Sequence, residues 1–291
     1  MSDNATRVLF DAPGPRGRRR ILIGTIVSIL VIAAAVWFAV DRFYAAGQLY
    51  QSKWSPFFLP GIPKFILTGL LNTLKVAAVG ALFAFPLGAL FALMRMSLNR
   101  PVRWLATAYI EFLRSTPLLL LVYTFVGALP ALGLNLGLFW KITIPVIMVN
   151  VAVLAEVFRA GVLALPKGQS EAGLSIGLTY WQAMRLVIMP QAVRIVIPSL
   201  VTQLVSLLKD STLGYFASYP ELMATASVLS ARYHNLLPSY LTIAVVFIVI
   251  NLALSYCARL IERRLARSRA ASGDGLDRMQ AVEEALPTVM R

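Results

Sequence analysis

Apolar residues fall in six long blocks along the chain, and the stretches between them differ sharply in character. An uncharged run of about 20 residues can cross a bilayer as a helix. The first, Ile21 to Val40, follows a polar stretch broken by Pro13, Gly14, Pro15 and Gly17 that ends in Arg18-Arg19-Arg20. Residues 1–20 therefore read as a disordered tail. A secretory leader also begins basic, but its apolar part is only about 7–15 residues, so Ile21–Val40 reads as a retained membrane helix. Asp41 to Pro63 reads as a loop whose Trp54, Phe57 and Phe58 suit the membrane interface. The next spans run from Phe65 to Met94 and from Trp104 to Gly127, with a tight turn from Pro130 to Gly137 before a fourth span, Leu138 to Leu165. A fifth starts after Pro190, is broken by Pro198, and reaches Lys209-Asp210-Ser211 and Gly214. Tyr219 to Leu237 reads as a short helix and turn, Pro238 to Leu260 as the last span, and residues 265–291 as a polar tail. The pattern predicts an all-α membrane bundle of six helices.

Residues 166–190 break the apolar pattern with a structured polar segment. Pro166 and Gly168 stop the preceding helix, one lacking a donor N–H and the other suiting a positive φ. Ser170 can cap a short helix with Glu171 in its first turn, and Gly177 ends it. Thr179 and Gln182 have capping-box spacing and open a second helix that runs to Pro190. Leu174 and Leu178, four apart, share a face. A polar helical hairpin between spans suggests a surface made for a partner.

Composition fixes the class. Hydrophobic residues make up 58% of the chain, and Lys+Arg 27 against Asp+Glu 13 gives a net charge of +14. The cations cluster beside apolar runs, so they report membrane orientation rather than nucleic acid. An inside N-terminus gathers Arg16, Arg18 to Arg20, Arg95, Arg100, Arg103, Lys167, Arg185 and the C-terminal arginines on one side, leaving Arg42, Lys53, Lys141 and Arg232 opposite. Both termini and the hairpin then face the cytoplasm of a multi-pass plasma-membrane protein. One cysteine, Cys257, excludes an internal disulfide, and His234 has no companion at ligand spacing. With no phosphate-cradling GxxxxGK[ST] loop, the chain is not expected to hydrolyse ATP. Ionisable groups at the bilayer centre cost about 2.5–3.5 kcal/mol, so those present should face a bundle interior or wet pathway. The polar and ionisable candidates are Asn72, Arg114, Asn150, Glu156, Gln203, Lys209 and Asp210, whereas Lys75, Glu111 and Arg159 read as interfacial groups.

The hairpin resembles the EAA loop of binding-protein-dependent ABC importer permeases. Glu171-Ala172-Gly173, Gly177 and Val187-Ile188-Met189-Pro190 fall on its spacing, with Gly173, Val187 and Met189 departing conservatively. Arg159 with Gly161, and Pro166-Lys167-Gly168-Gln169, resemble the polar-amino-acid branch. Phe112-Leu113-Arg114-Ser115-Thr116-Pro117-Leu118 is similar to that branch's FxRGTPLL word, with Ser115 for Gly. Gln203 and Ser206 through Leu213 are similar to Q-x-x-SLLKDTSL, with Ser211-Thr212 inverted and Thr202 where Asn is common. These words cover about Ile66 to Arg264.

The resemblance implies a five-helix permease core over residues 64–264, the helix at 21–40 being an addition that packs peripherally. It implies ATPase coupling through Glu171, Ala172, Gly173, Leu174, Gly177 and Leu178. Its substrate pathway would involve Asn72, Arg114, Thr116, Asn150, Thr202, Gln203, Ser206, Lys209 and Asp210, with Lys209 and Asp210 either an ion pair or a ligand site. Implied partners are a cytoplasmic ATP-binding subunit dimer, a second homologous permease (a heterodimer over a homodimer), an extracytoplasmic substrate-binding protein and membrane lipid, with no nucleic acid. The chain itself carries no cofactor, ATP and Mg belonging to the ATPase, and it is a transporter subunit, not an enzyme. The scarcity of spare carboxylates favours glutamate, or a related acidic or amide amino acid, over a cationic one. The competing reading is a secondary transporter or channel without an ATPase, for which an internal repeat would be expected.

Overall fold

The computed structural model describes residues 14–257 and 260, and is helical with no strand among them. Helix α1 (Pro15–Ala45) is followed by a short turn, then α2 (Ile62–Arg95), α3 (Arg100–Ser115), α4 (Leu118–Ala131), α5 (Leu138–Leu163), α6 (Lys167–Ser175), α7 (Tyr180–Ala217), α8 (Leu222–Tyr233) and α9 (Leu236–Cys257). Five of these, α1, α2, α5, α7 and α9, are long and apolar enough to cross a membrane. The third expected span, Trp104 to Gly127, is instead a bent pair: α3 and α4 meet at 96°. The bend has a local cause. Thr116 precedes Pro117, whose ring drives it out of the helical region, and it is extended at φ −93 and ψ 126.

The core is the packing of α5 between α2 and α7. On α2 a stripe of mostly small residues, Gly69, Thr73, Ala77, Gly80, Ala84, Gly88 and Ala92, is buried. Small residues let helices approach closely in a membrane, where apolar burial alone does not drive association. A Cβ at Gly88 would lie 2.6 Å from that of Leu154, and one at Gly161 would lie 3.0 Å from the Ala192 carbonyl. Thus α2 meets α5 and α5 meets α7 nearly backbone to backbone.

Prolines do less damage than the sequence suggests. Pro190 ends no helix, because α7 widens into a π-turn over Met184–Ile188. A proline ring clashes with the carbonyl four residues back, and for Pro190 that residue, Leu186, lies inside the widened turn. Pro130 follows the π-turn at Thr124–Ala128 in the same register. Pro198 likewise sits inside an unbroken helix. Membrane helices tolerate proline where local adjustment satisfies the freed backbone groups.

The N-terminal expectation needs correcting. Arg16 to Arg20 form the first turns of α1 rather than a disordered tail; the rest of that tail, residues 1–13, lies outside the described residues, as does the tail at 265–291. None of the α1 residues is buried. The turn that follows it is tied to the bundle, where Lys53 Nζ donates to the His234 carbonyl at 2.9 Å and the Asn235 amide donates to the Lys53 carbonyl at 2.9 Å. Glu221 is fully buried and caps α8, accepting from the N–H groups of Met223 (2.8 Å) and Ala224 (2.6 Å).

Candidate functional site

Inside the bundle, three of the expected pathway residues meet. Asn150, on α5 and fully buried, donates to the Val146 carbonyl at 2.9 Å and to Asp210 Oδ2 at 3.0 Å. Its Oδ1 accepts from Gln203 Nε2 at 2.6 Å. Asn150 is thereby satisfied, and the triad ties α5 to α7. A buried polar network with every member bonded fixes one packing arrangement.

Lys209 and Asp210 do not pair. Successive residues on a helix point about 100° apart, so while Asp210 turns inward to Asn150, Lys209 is exposed and lines a separate cavity of about 440 Å³. Thr212, Met223, Tyr240 and Asn251 share that cavity, whose walls come from α7, α8 and α9. Asn251 spends its amide N–H on the Phe247 carbonyl at 2.8 Å, which leaves its buried Oδ1 without a partner. The cavity is thus lined by Lys209 and by Asn251, whose Oδ1 is itself buried, within mostly apolar walls.

The other expected pathway residues lie apart from the triad. Asn72 donates to the Pro220 carbonyl at 2.8 Å and holds the loop before α8. Thr116 bonds back to the Phe112 carbonyl at the α3–α4 bend (2.7 Å), and Thr202 to that of Pro198 (3.1 Å). Ser206 is half-buried on α7. Arg114 is exposed and forms no ion pair among the described residues. Lys75 holds its ammonium over the Phe139 ring, 4.9 Å from the centroid.

At the hairpin end of the bundle lies a charge network. Arg95, the last residue of α2, reaches Glu111 on α3 at 2.7 Å and Glu156 on α5 at 2.6 Å. Glu156 also holds Arg159 at 3.2 Å. One guanidinium fork thus joins three helix ends, the geometry for which arginine is suited and lysine is not.

The hairpin itself follows local chemistry. Thr179 and Gln182 form a reciprocal capping box. Gly177 has φ +86, the Gly177 N–H donates to the Leu174 carbonyl at 3.0 Å, and the Leu178 N–H to that of Gly173 at 3.2 Å. That pair of bonds is a Schellman ending, which requires a left-handed residue at the glycine. Ser170 does not cap: α6 begins three residues earlier at Lys167, and the Ser170 hydroxyl donates to the Lys167 carbonyl at 2.8 Å. Gly173 is buried, a Cβ there lying 3.2 Å from that of Ala183, so its smallness serves packing within the hairpin. Leu178 is half-buried, and the outward surface consists of Glu171, Ala172, Leu174 and Ile176, the last 78% exposed.

A family model, the binding-protein-dependent transport system inner membrane component, matches residues 84–267, which carry the core triad, the hairpin and the charge network on α3 and α5. The chain belongs to this family. Among its relatives is the probable glutamine ABC transporter permease protein GlnM of Bacillus subtilis (strain 168), 37% identical over 202 residues, covering 69% of this chain and 94% of that one. Another is the glutamate/aspartate import permease protein GltK of Escherichia coli O6:H1, 35% identical over 226 residues, covering 75% of this chain and all of that one. Among solved structures, the crystal structure of an amino acid ABC transporter with histidines is 32% identical with a TM-score of 0.66, covering 69% of this chain and 94% of that one. The chain is therefore a multi-pass membrane component of a binding-protein-dependent transport system, with its fold shared by those transporters. Within this component, Asn251, Tyr180 and Ile176 are the residues of interest that sequence reasoning passed over. Asn251 carried a visible signal, an amide inside an apolar run.

Proposed function

We propose that this chain is the permease subunit of an ATP-driven importer of polar amino acids, most suited to glutamate or a related acidic or amide amino acid. The observation that carries the substrate choice is the disposition of charge. Asp210 is held by Asn150, Glu111 and Glu156 by Arg95, and Glu221 by backbone N–H groups. No carboxylate among these is spare for a cationic side chain, whereas Lys209 opens into a cavity. The Lys209 ammonium suits the carboxylate of an amino acid. The relatives carry glutamine, glutamate/aspartate, arginine and cystine in their names, so the disposition of charge and not the relatives carries this choice.

The hairpin faces the cytoplasm in this reading, and its outward residues Glu171, Ala172, Leu174, Gly177 and Ile176 meet a separate ATP-binding subunit dimer. An extracytoplasmic binding protein delivers substrate, and a second homologous permease completes the pathway. The unburied α1 and the long tails favour a heterodimer.

Uptake of labelled glutamate by vesicles carrying the whole complex tests the substrate. Competition should come from unlabelled glutamate, aspartate and glutamine; strong arginine or histidine uptake with no competition by glutamate would overturn the choice. Lys209→Met should lower glutamate uptake about tenfold or more, since a hydrogen bond to a charged group contributes about 1.5–3 kcal/mol. Its position at the cavity rim leaves the fold intact.

A further inference from the structure

The hairpin touches the bundle through few polar contacts. Between residues 166–190 and any helix not directly continuous with them, the described residues show one side-chain hydrogen bond. The Tyr180 hydroxyl donates to the Met96 carbonyl at 2.9 Å. Met96 caps the C-terminus of α2, where carbonyls have no partner within the helix. The residue before it is Arg95, whose guanidinium joins Glu111 and Glu156. The other polar tether, Gln191 to Gln169 at 3.1 Å, only ties α6 to α7, into which the hairpin already runs.

Three further features mark this contact. Tyr180 is the first residue of α7, directly after the capping-box threonine, so its backbone moves with the hairpin turn. Its ring is half-buried and lines a cavity of about 240 Å³ shared with Pro166, Lys167, Ser170 and Met184. Packing around the ring is therefore incomplete, which leaves the hydroxyl bond as the one side-chain hydrogen bond between the hairpin and α2 among the described residues. Finally, the charge network beyond Met96 spans α2, α3 and α5 at one end, and α5 carries Asn150.

From these contacts we propose that Tyr180 is a positioning residue of the transport cycle. Its hydroxyl carries motion of the hairpin to the end of α2, and the Arg95 network distributes that motion to α3 and α5. The proposal rests on the hairpin being the ATPase contact.

The test uses the whole complex in vesicles, with uptake and ATP hydrolysis measured on the same preparations. Tyr180→Phe keeps the ring in the cavity and removes only the oxygen. The expected result is unchanged assembly with the ATPase and unchanged basal hydrolysis, with substrate taken up per ATP hydrolysed falling about fivefold, as loss of one such bond implies. Arg95→Lys, which keeps the charge but loses the fork, should lower the same ratio. The double variant should lose no more than the worse single one, because both lie on one route. A merely structural tyrosine would lower the yield of assembled complex and leave that ratio unchanged, and this outcome would overturn the proposal. If Gly177→Arg also left the ratio unchanged, the hairpin itself would not be the ATPase contact, and the underlying reading would fail first.

Discussion

Gly88→Val should prevent the permease from assembling in the membrane. The added Cβ would lie 2.6 Å from the Cβ of Leu154 and 3.4 Å from the backbone nitrogen of Ala155. Neither is the end of a flexible side chain, so α2 and α5 would have to separate along their main contact. Overpacking by one or a few methyl groups costs about 1–3 kcal/mol. Valine adds three carbons at a backbone-to-backbone crossing, so the cost should reach the top of that range or exceed it. Yield of folded protein by size-exclusion chromatography measures this. Gly24→Val, on α1 where a Cβ meets nothing within 4 Å, should leave the yield unchanged.

Gly177→Arg should abolish transport while the membrane fold survives. Gly177 is exposed and nothing lies within 4 Å of its Cβ position, so no core contact is at stake. Its φ of +86 does impose strain on any L side chain, of about 1–2 kcal/mol. Asparagine tolerates that conformation better than arginine does. Gly177→Asn should therefore keep substrate-stimulated ATP hydrolysis, while Gly177→Arg, which places a long cation on the outward surface, should lose it. An interface hot spot contributes at least about 2 kcal/mol, roughly thirtyfold in affinity. Normal substrate-stimulated hydrolysis by a purified Gly177→Arg complex would show that the hairpin does not meet the ATPase.

What the sequence disclosed and concealed divides along a physical line. The Thr179–Gln182 capping box and the Gly177 helix ending depend on residues within five positions of one another, and both form as expected. Span positions also follow local hydropathy, and five of six appear as continuous helices. Hydropathy is blind to direction, so the 96° bend between α3 and α4 escaped it, although Pro117 marked the place. Pro190 and Pro198 were read as breaks because a proline's cost is known locally, whereas the π-turn that absorbs Pro190 is not.

Long-range polar pairing was the least legible. Glu111 and Arg114 are neighbours along the chain, yet Glu111 bonds Arg95 on another helix; Glu156 does pair with nearby Arg159 but adds Arg95, 61 residues away. Lys209 and Asp210 looked like a pair because they adjoin, and helix geometry turns them apart. Of the nine expected pathway residues, Asn150, Gln203 and Asp210 come together in the core and Lys209 opens to a cavity. Its companion Asn251 lies 42 positions further on, where only the fold could place it.

In the proposed function, this chain forms a pathway driven by ATP hydrolysis in a partner. The most direct measurement is accumulation of labelled glutamate in vesicles containing the chain with its ATPase, second permease and binding protein. ATP is supplied on the hairpin side and the substrate-loaded binding protein on the other. Accumulation against a gradient is expected only when both are present, and none when the ATPase is omitted. Accumulation sustained by an ion gradient without ATP would contradict it.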